Sequence, residues 1–274
     1  MKLGHSKRNG TFSLLLNLAR LTYTSTVRKV RQSHGNAIMA LAMSILQAVL
    51  FIVAFYFMFT VLGTRGMTIR GDFLIYLLTG IFLYLTHVKA LGAVVGAEGP
   101  ASAMMLHAPM NTLVAILSSA FSALYLQTLA LGVILLGIHT IFGPVEIHDW
   151  AGVLFMFLLS WASGCAVGLV FLALKPWFPD FVSLAQTIYT RANMIASGKM
   201  FVANALPAAM IPWFSWNPLF HLIDQARGFA FNNYFPHVTN WQYPIYFTLA
   251  FVMLGLMGDF YTRKRVSASW MAGR

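Results

Sequence analysis

Four charged side chains stand in otherwise apolar sequence in the C-terminal half of the chain: Arg191, Lys199, Asp224 and Arg227. Arg191 and Lys199 are eight residues apart, which brings both near one face if a single helix carries them. A lone charge at mid-bilayer costs ~3 kcal/mol or more, so each must face a cavity or polar partner along a transport pathway, or snorkel to an interface. Asp224 and Arg227, three apart, can pair on a short helix. Charges placed this way admit or move a polar solute. They do not by themselves break bonds.

Bond-breaking chemistry finds little support elsewhere. The sequence contains no Gly-x-x-x-x-Gly-Lys-Ser/Thr loop to cradle ATP phosphates, so energy, if used, comes through another subunit, and this chain is expected to bind no cofactor. Its histidines (5, 34, 87, 107, 139, 148, 221 and 237) are scattered without a His-x-x-x-His pair, and no metal site is expected. Cys165 is alone, which excludes an intrachain disulfide and suits a buried thiol. Ser160, Gly164 and Gly168 recur every four residues, a spacing that favours close helix contact over a site.

The elements that position the charges are membrane helices. Hydrophobic residues make up 59% of the chain and charged ones 9%, and uncharged runs of spanning length recur, without the short alternation of a membrane barrel. The expected fold is an all-α integral membrane protein with six transmembrane spans at about 37–62, 72–95, 111–141, 150–174, 181–200 and 241–260. Pro100 and Pro109 divide the long uncharged interval from Gly99 to Val145, setting a short element at 98–109 ahead of the third span. Residues 11–31 place Phe12, Leu15, Leu16 and Ala19 at helical spacing and end in Arg28, Lys29 and Arg31. That pattern predicts an amphipathic helix along the inner leaflet, or simply a basic flank that sets topology. The basic start leads to no small-residue cleavage site, so no removable signal peptide is expected.

Charge orients the spans. Lys2, Lys7, Arg8, Arg20, Arg28, Lys29 and Arg31 precede the first span, and Arg263, Lys264, Arg265 and Arg274 follow the last. Both termini are therefore expected in the cytoplasm, which requires an even number of spans. Glu146 and Asp149 suit an outside loop, while Arg65 and Arg70 in the first loop are an exception. The net charge of +11 thus reflects topology, and no nucleic-acid partner is expected.

The stretch from Ser197 to Trp241 is too apolar for a solvated loop and, with Pro207, Pro212 and Pro218, too broken for one straight span. Such backbone at membrane depth must be buried in protein or line a watery cavity. Trp213, Phe214, Trp216, Phe220, Phe229, Phe231, Tyr234 and Phe235 crowd it, which fits an interfacial belt or, alternatively, rings that stack on sugars.

Six spans, an amphipathic segment before the first, and Ser197-Gly198, Pro207, Asn217-Pro218-Leu219 and Arg227 in this order resemble the membrane subunit of a type-2 ABC transporter, most closely the polysaccharide branch that exports capsule, O-antigen or teichoic acid. The resemblance covers nearly the whole chain. It implies a multi-pass permease of the bacterial cytoplasmic (inner) membrane, a homodimer amid membrane lipid, with two copies of a separate ABC ATPase that hold ATP and magnesium, and a lipid-linked or polymeric glycan as substrate. It also implies ATPase coupling through the element containing Glu98, Pro100, His107 and Pro109. Residues 201–235, with Pro207, Pro212, Asn217, Pro218, Asp224 and Arg227, become re-entrant helices forming an outer gate, and Arg191 and Lys199 lie by the conduit. Thr22-Tyr23-Thr24-Ser25-Thr26 departs from the charged, aromatic run of many members. An exporter of a small amphipathic molecule or lipid shares the same plan. An ion-coupled carrier fits less well, since no internal repeat is visible and the acidic residues sit near span ends; a membrane scaffold is a more distant option.

Overall fold

A computed structural model describes residues 11–32, 36–63, 72–97 and 112–272. Among these residues every regular element is helical. They are α1 (Thr11–Gln32), α2 (Ala37–Val61), α3 (Phe73–Val95), α4 (Thr112–Ile141), α5 (Trp150–Leu174), α6 (Pro179–Ala196), a 3₁₀ turn (Ala203–Ala205), α7 (Ile211–Phe214), α8 (Pro218–Ala230) and α9 (Gln242–Ala272). The expected coupling element at 98–109, with Glu98, Pro100, His107 and Pro109, lies outside the described residues.

Short polar residues start several of these helices. The side chains of Asn36, Asp72, Asp149 and Asn217 each accept a backbone N–H of the following first turn, and Pro179 opens α6 at a position whose N–H has no helical partner. Asp72 and Asp149, the acidic residues just ahead of two apolar runs, are therefore caps.

Among the described residues, five helices are long and apolar enough to cross a bilayer: α2, α3, α4, α5 and Gln242–Thr262 of α9. The stretch expected as a span at 181–200 carries the 18-residue helix α6, which ends at Ala196 and contains Asp180 and Arg191. It is shorter and more polar than the five.

The helix α3 is central: 83% of its span is buried, against 22% of the spans of α2, α4 and α9. Small residues let its neighbours approach. A Cβ on Gly164 of α5 would sit 2.3 Å from the His87 carbonyl oxygen of α3, and one on Gly168 2.9 Å from that of Leu91. On the same face the Ser160 hydroxyl donates to the Leu83 carbonyl at 2.7 Å. The four-residue repeat is thus a packing seam. Gly255 of α9 plays the same part against Leu169 on another face of α5. Where α3 and α5 meet, buried His87 bridges Ser163 Oγ (2.9 Å) and the Tyr189 hydroxyl of α6 (3.0 Å).

The helix α1 packs chiefly on α4, where Lys29 Nζ donates to Ser119 Oγ and to the Ala115 carbonyl.

Candidate functional site

The site is built where α6 stops. Ser197 caps the helix, and Gly198 turns the chain with φ +75°, a conformation that favours glycine. A Cβ there would also meet the Phe220 ring at 2.8 Å. Beyond the turn the carbonyls of Gly198, Lys199 and Phe201 converge on one guanidinium. Arg227 Nη1 donates to the oxygens of Gly198 (2.9 Å) and Phe201 (2.7 Å), and Nη2 donates to that of Lys199 (2.9 Å). A planar fork of fixed donors suits such a set.

The wall opposite is one stripe of α3. Tyr76, Gly80 and Tyr84 are spaced by four residues and share a face. The Arg227 guanidinium lies 4.1 Å over the Tyr76 ring, and Lys199 Nζ lies 3.8 Å over the Tyr84 ring. Gly80 between them leaves room for both: a Cβ there would come within 3.0 Å of Arg227 Nη2 and of Lys199 Cβ. Phe51 and Phe55 of α2, one turn apart, complete the box around Lys199 at 4.9 and 5.2 Å. Both cations are deeply buried, Arg227 at 1% exposure and Lys199 at 2%. Lys199 Nζ has no hydrogen-bond partner, so aromatic faces are its main compensation.

Asn217 joins α8 to the end of α6. Its Nδ2 donates to Asn193 Oδ1 (2.9 Å) and to the Ala196 carbonyl (3.0 Å), while its Oδ1 caps Leu219 (3.0 Å). Pro218 then opens α8. One turn before Arg227, Asp224 accepts from the Tyr234 hydroxyl and from Thr239 Oγ1 (2.7 Å). Asp224 and Arg227 are thus engaged separately, and the expected ion pair gives way to bonds with hydroxyls and carbonyls. The neighbouring His221 donates from Nε2 to the Ser215 carbonyl (2.8 Å) and accepts the Asn240 N–H at Nδ1 (3.0 Å).

Not every expected residue joins this cluster. Arg191 stays on exposed α6, whereas Lys199 lies past the Gly198 turn, so the two do not share a helix face. Pro207 and Pro212 are exposed in the turn and short helix beyond, where they break the chain between α6 and α8. The aromatic crowd divides as well: Trp213, Trp216 and Phe235 are exposed, while Phe220, Phe231 and Tyr234 are buried. Sequence reasoning passed over Tyr76, Gly80 and Tyr84, although their four-residue spacing is a readable signal. It passed over Asn193 and Thr239 too, for which no local pattern exists, and it read Tyr234 only as one of the aromatic crowd.

The loop from Phe142 to Asp149 docks on the same assembly. The His148 and Asp149 N–H groups donate to the carbonyls of Ala230 (3.1 Å) and Phe229 (2.9 Å) at the end of α8.

No protein-family model matches the chain. Over 189 residues it is 23% identical to the polysialic acid transport protein KpsM of Escherichia coli, covering 68% of this chain and 71% of that protein. Over 103 residues it is 26% identical to a second Escherichia coli protein of the same name, covering 36% of this chain and 40% of that one. With these likenesses and its set of apolar helices, the chain is similar to type-2 ABC permeases of polysaccharide export.

Proposed function

We propose that this chain is the membrane half of an ATP-driven exporter and, as a homodimer, forms the conduit for a capsule-type polysaccharide across the bacterial inner membrane. The observation that carries this reading is the likeness to a polysialic acid transport protein along two thirds of the chain. ATP hydrolysis belongs to two copies of a separate ABC ATPase, because the sequence has no phosphate-binding loop of its own. The 98–109 element is the docking point for that ATPase, and a lipid-linked glycan is the substrate.

In this reading α6 is the sixth crossing, its polar character suiting a helix that faces a conduit instead of lipid. Both termini are then cytoplasmic, and the segment from 201 to 235 is a re-entrant gate on the outer side. Two contacts support that side. The acidic loop from Phe142 to Asp149 bonds to the end of α8, and Tyr76, near the start of α3, stacks on Arg227. Arg191, exposed on α6, is the pathway cation; Lys199 is enclosed by rings where the gate segment meets α3.

Deletion of the gene, followed by assay of surface and intracellular polysaccharide, tests the proposal. Loss of surface polymer with accumulation inside is expected. Normal surface polymer without accumulation overturns it. In a complemented strain Arg191→Ala is expected to impair export while the protein still inserts in the membrane, and unchanged export removes Arg191 from the pathway.

A further inference from the structure

The helix α6 presents three lines of side chains, and each suits a different medium. At about 3.6 residues per turn, Val182, Tyr189 and Asn193 share one line, and that line is docked. Val182 and Asn193 are the two buried residues of the helix, and the Tyr189 hydroxyl reaches His87. Phe181, Leu184, Ile188 and Ile195 make a second line that is apolar and exposed. Asp180, Ser183, Thr187 and Arg191 make a third, spaced by three or four residues, that is polar and exposed.

Neither lipid nor the rest of the chain accounts for the third line. The apolar line suits acyl chains, whereas two charges and two hydroxyls at membrane depth need water or polar partners. Thr187 Oγ1 donates back to the Ser183 carbonyl at 3.0 Å, which leaves its lone pairs open. The side chains of Asp180, Ser183 and Arg191 make no hydrogen bond or ion pair with the described residues. A second copy of the chain does not cover the line either. Two copies inserted in the same direction are related by an axis along the bilayer normal, so their α6 helices run parallel and set Arg191 against Arg191 and Asp180 against Asp180. Like charges repel most where water is scarce. An aqueous path with a polar solute in it is what fits.

We infer that Asp180, Ser183, Thr187 and Arg191 form a track that recognises the hydroxyl groups of a passing glycan. Asp180 accepts sugar hydroxyls, Arg191 donates to sugar oxygens, Ser183 does both, and Thr187, its proton already committed, accepts. One acid and one base leave the track without net charge, so it selects for hydroxyls and not for an anionic group. At ~1.5 Å per residue it is about 16 Å long. The water-facing assignment follows from the helix alone; the choice of a glycan as the solute rests on the export reading.

Two measurements test these parts separately. The first labels single cysteines with a charged, membrane-impermeant thiosulfonate in isolated membranes open on both faces, on a Cys165→Ala background. Only a thiolate in water reacts, so Ser183→Cys and Thr187→Cys are expected to label about tenfold faster, or more, than Leu184→Cys and Ile188→Cys. All four positions are exposed on the chain by itself, so the contrast reads the medium that each line meets. Equal or reversed rates overturn the inference, whatever the chain carries. The second measures surface polysaccharide in a deletion strain complemented with variants. Ser183→Leu and Thr187→Val are each expected to lower it about fivefold, the scale of one hydrogen bond, while Ile188→Ala leaves it unchanged. If the deletion abolishes export and both track variants export like the parent, the export reading stands and the track falls. If the deletion leaves surface polymer normal, the export reading fails, and the glycan is overturned with it.

Discussion

Arg227 and Lys199 are buried against the same stripe of α3, yet their surroundings differ in kind. Arg227 is wired: two of its guanidinium nitrogens reach three carbonyls while its plane stacks on Tyr76. Lys199 is boxed: its ammonium faces Tyr84, Phe51 and Phe55 and donates no hydrogen bond. The first arrangement is interlocking, because the carbonyls of a broken helix end need the donors as much as the arginine needs acceptors. In the second, nothing else is stranded if the charge is taken away. A buried cation that satisfies other groups is structural, and one that satisfies none is replaceable for stability.

Removal of the wired cation is the most severe way to probe that contrast. Arg227→Leu strands the carbonyls of Lys199 and Phe201, leaves that of Gly198 only a long bond of 3.4 Å from the Phe201 N–H, and is expected to cost about 3 kcal/mol or more. The readout is the melting midpoint of the purified protein. Arg227→Lys should recover only part of the loss, since an ammonium cannot reproduce the planar fork. If both variants melt like the parent, the distinction between the two cations collapses.

Gly80 sharpens the comparison because it serves both sites. The approach of 3.0 Å to Arg227 Nη2 and to Lys199 Cβ leaves little room even for a methyl group, so Gly80→Leu must push the turn at 198–201 away from α3. The expected cost is about 1–3 kcal/mol, as for other overpacked cores. Loss of protease resistance in the 198–241 segment, with the rest of the chain still protected, is the accompanying sign. Uniform protection would mean that the turn adapts without leaving α3.

Lys199→Met addresses the boxed cation. A thioether side chain can fill the same aromatic box while removing a charge that has no hydrogen bond, so the melting midpoint is expected to shift by about 1 kcal/mol or less in either direction. A loss as large as that of Arg227→Leu would show that Lys199 is structural after all. Surface polysaccharide measured in the same variant separates anchorage from any part in transport.

The two sites were unequally legible in the sequence. Helical membrane class and the broken character of the stretch from Ser197 to Trp241 follow from composition and prolines, which act locally. Arg227 stood out because an arginine in apolar sequence must find partners. Its partners were invisible, because they are main-chain carbonyls of residues about 28 positions earlier, and a carbonyl carries no side-chain signature. The i, i+3 spacing suggested Asp224 instead, but spacing cannot reveal that Tyr234 and Thr239 reach the carboxylate first. The reading of Arg191 and Lys199 as neighbours failed for a similar reason. It assumed that one helix continued through Gly198, where a positive φ ends it.

His221 offers the smallest effect, and it tests whether the polar side of α8 is as tightly wired as Arg227. Its ring must be neutral to accept the Asn240 N–H at Nδ1 while donating from Nε2 to Ser215. Burial lowers its pKa below the ordinary 6.5, against the opposing pull of the Ser215 carbonyl and nearby Asp224. The unfolded chain therefore takes up a proton at higher pH than the folded one. Stability from this site is present above about 6.5 and declines as pH falls from there toward the folded value, by at most about 1.4 kcal/mol per pH unit. Melting midpoints measured from neutral to mildly acidic pH should fall more in the parent than in His221→Gln, which has no proton to gain. Parallel profiles would mean that Nδ1 is free to protonate in place, and that the bond to Asn240 holds α8 far less firmly than the carbonyl cluster does on its other face.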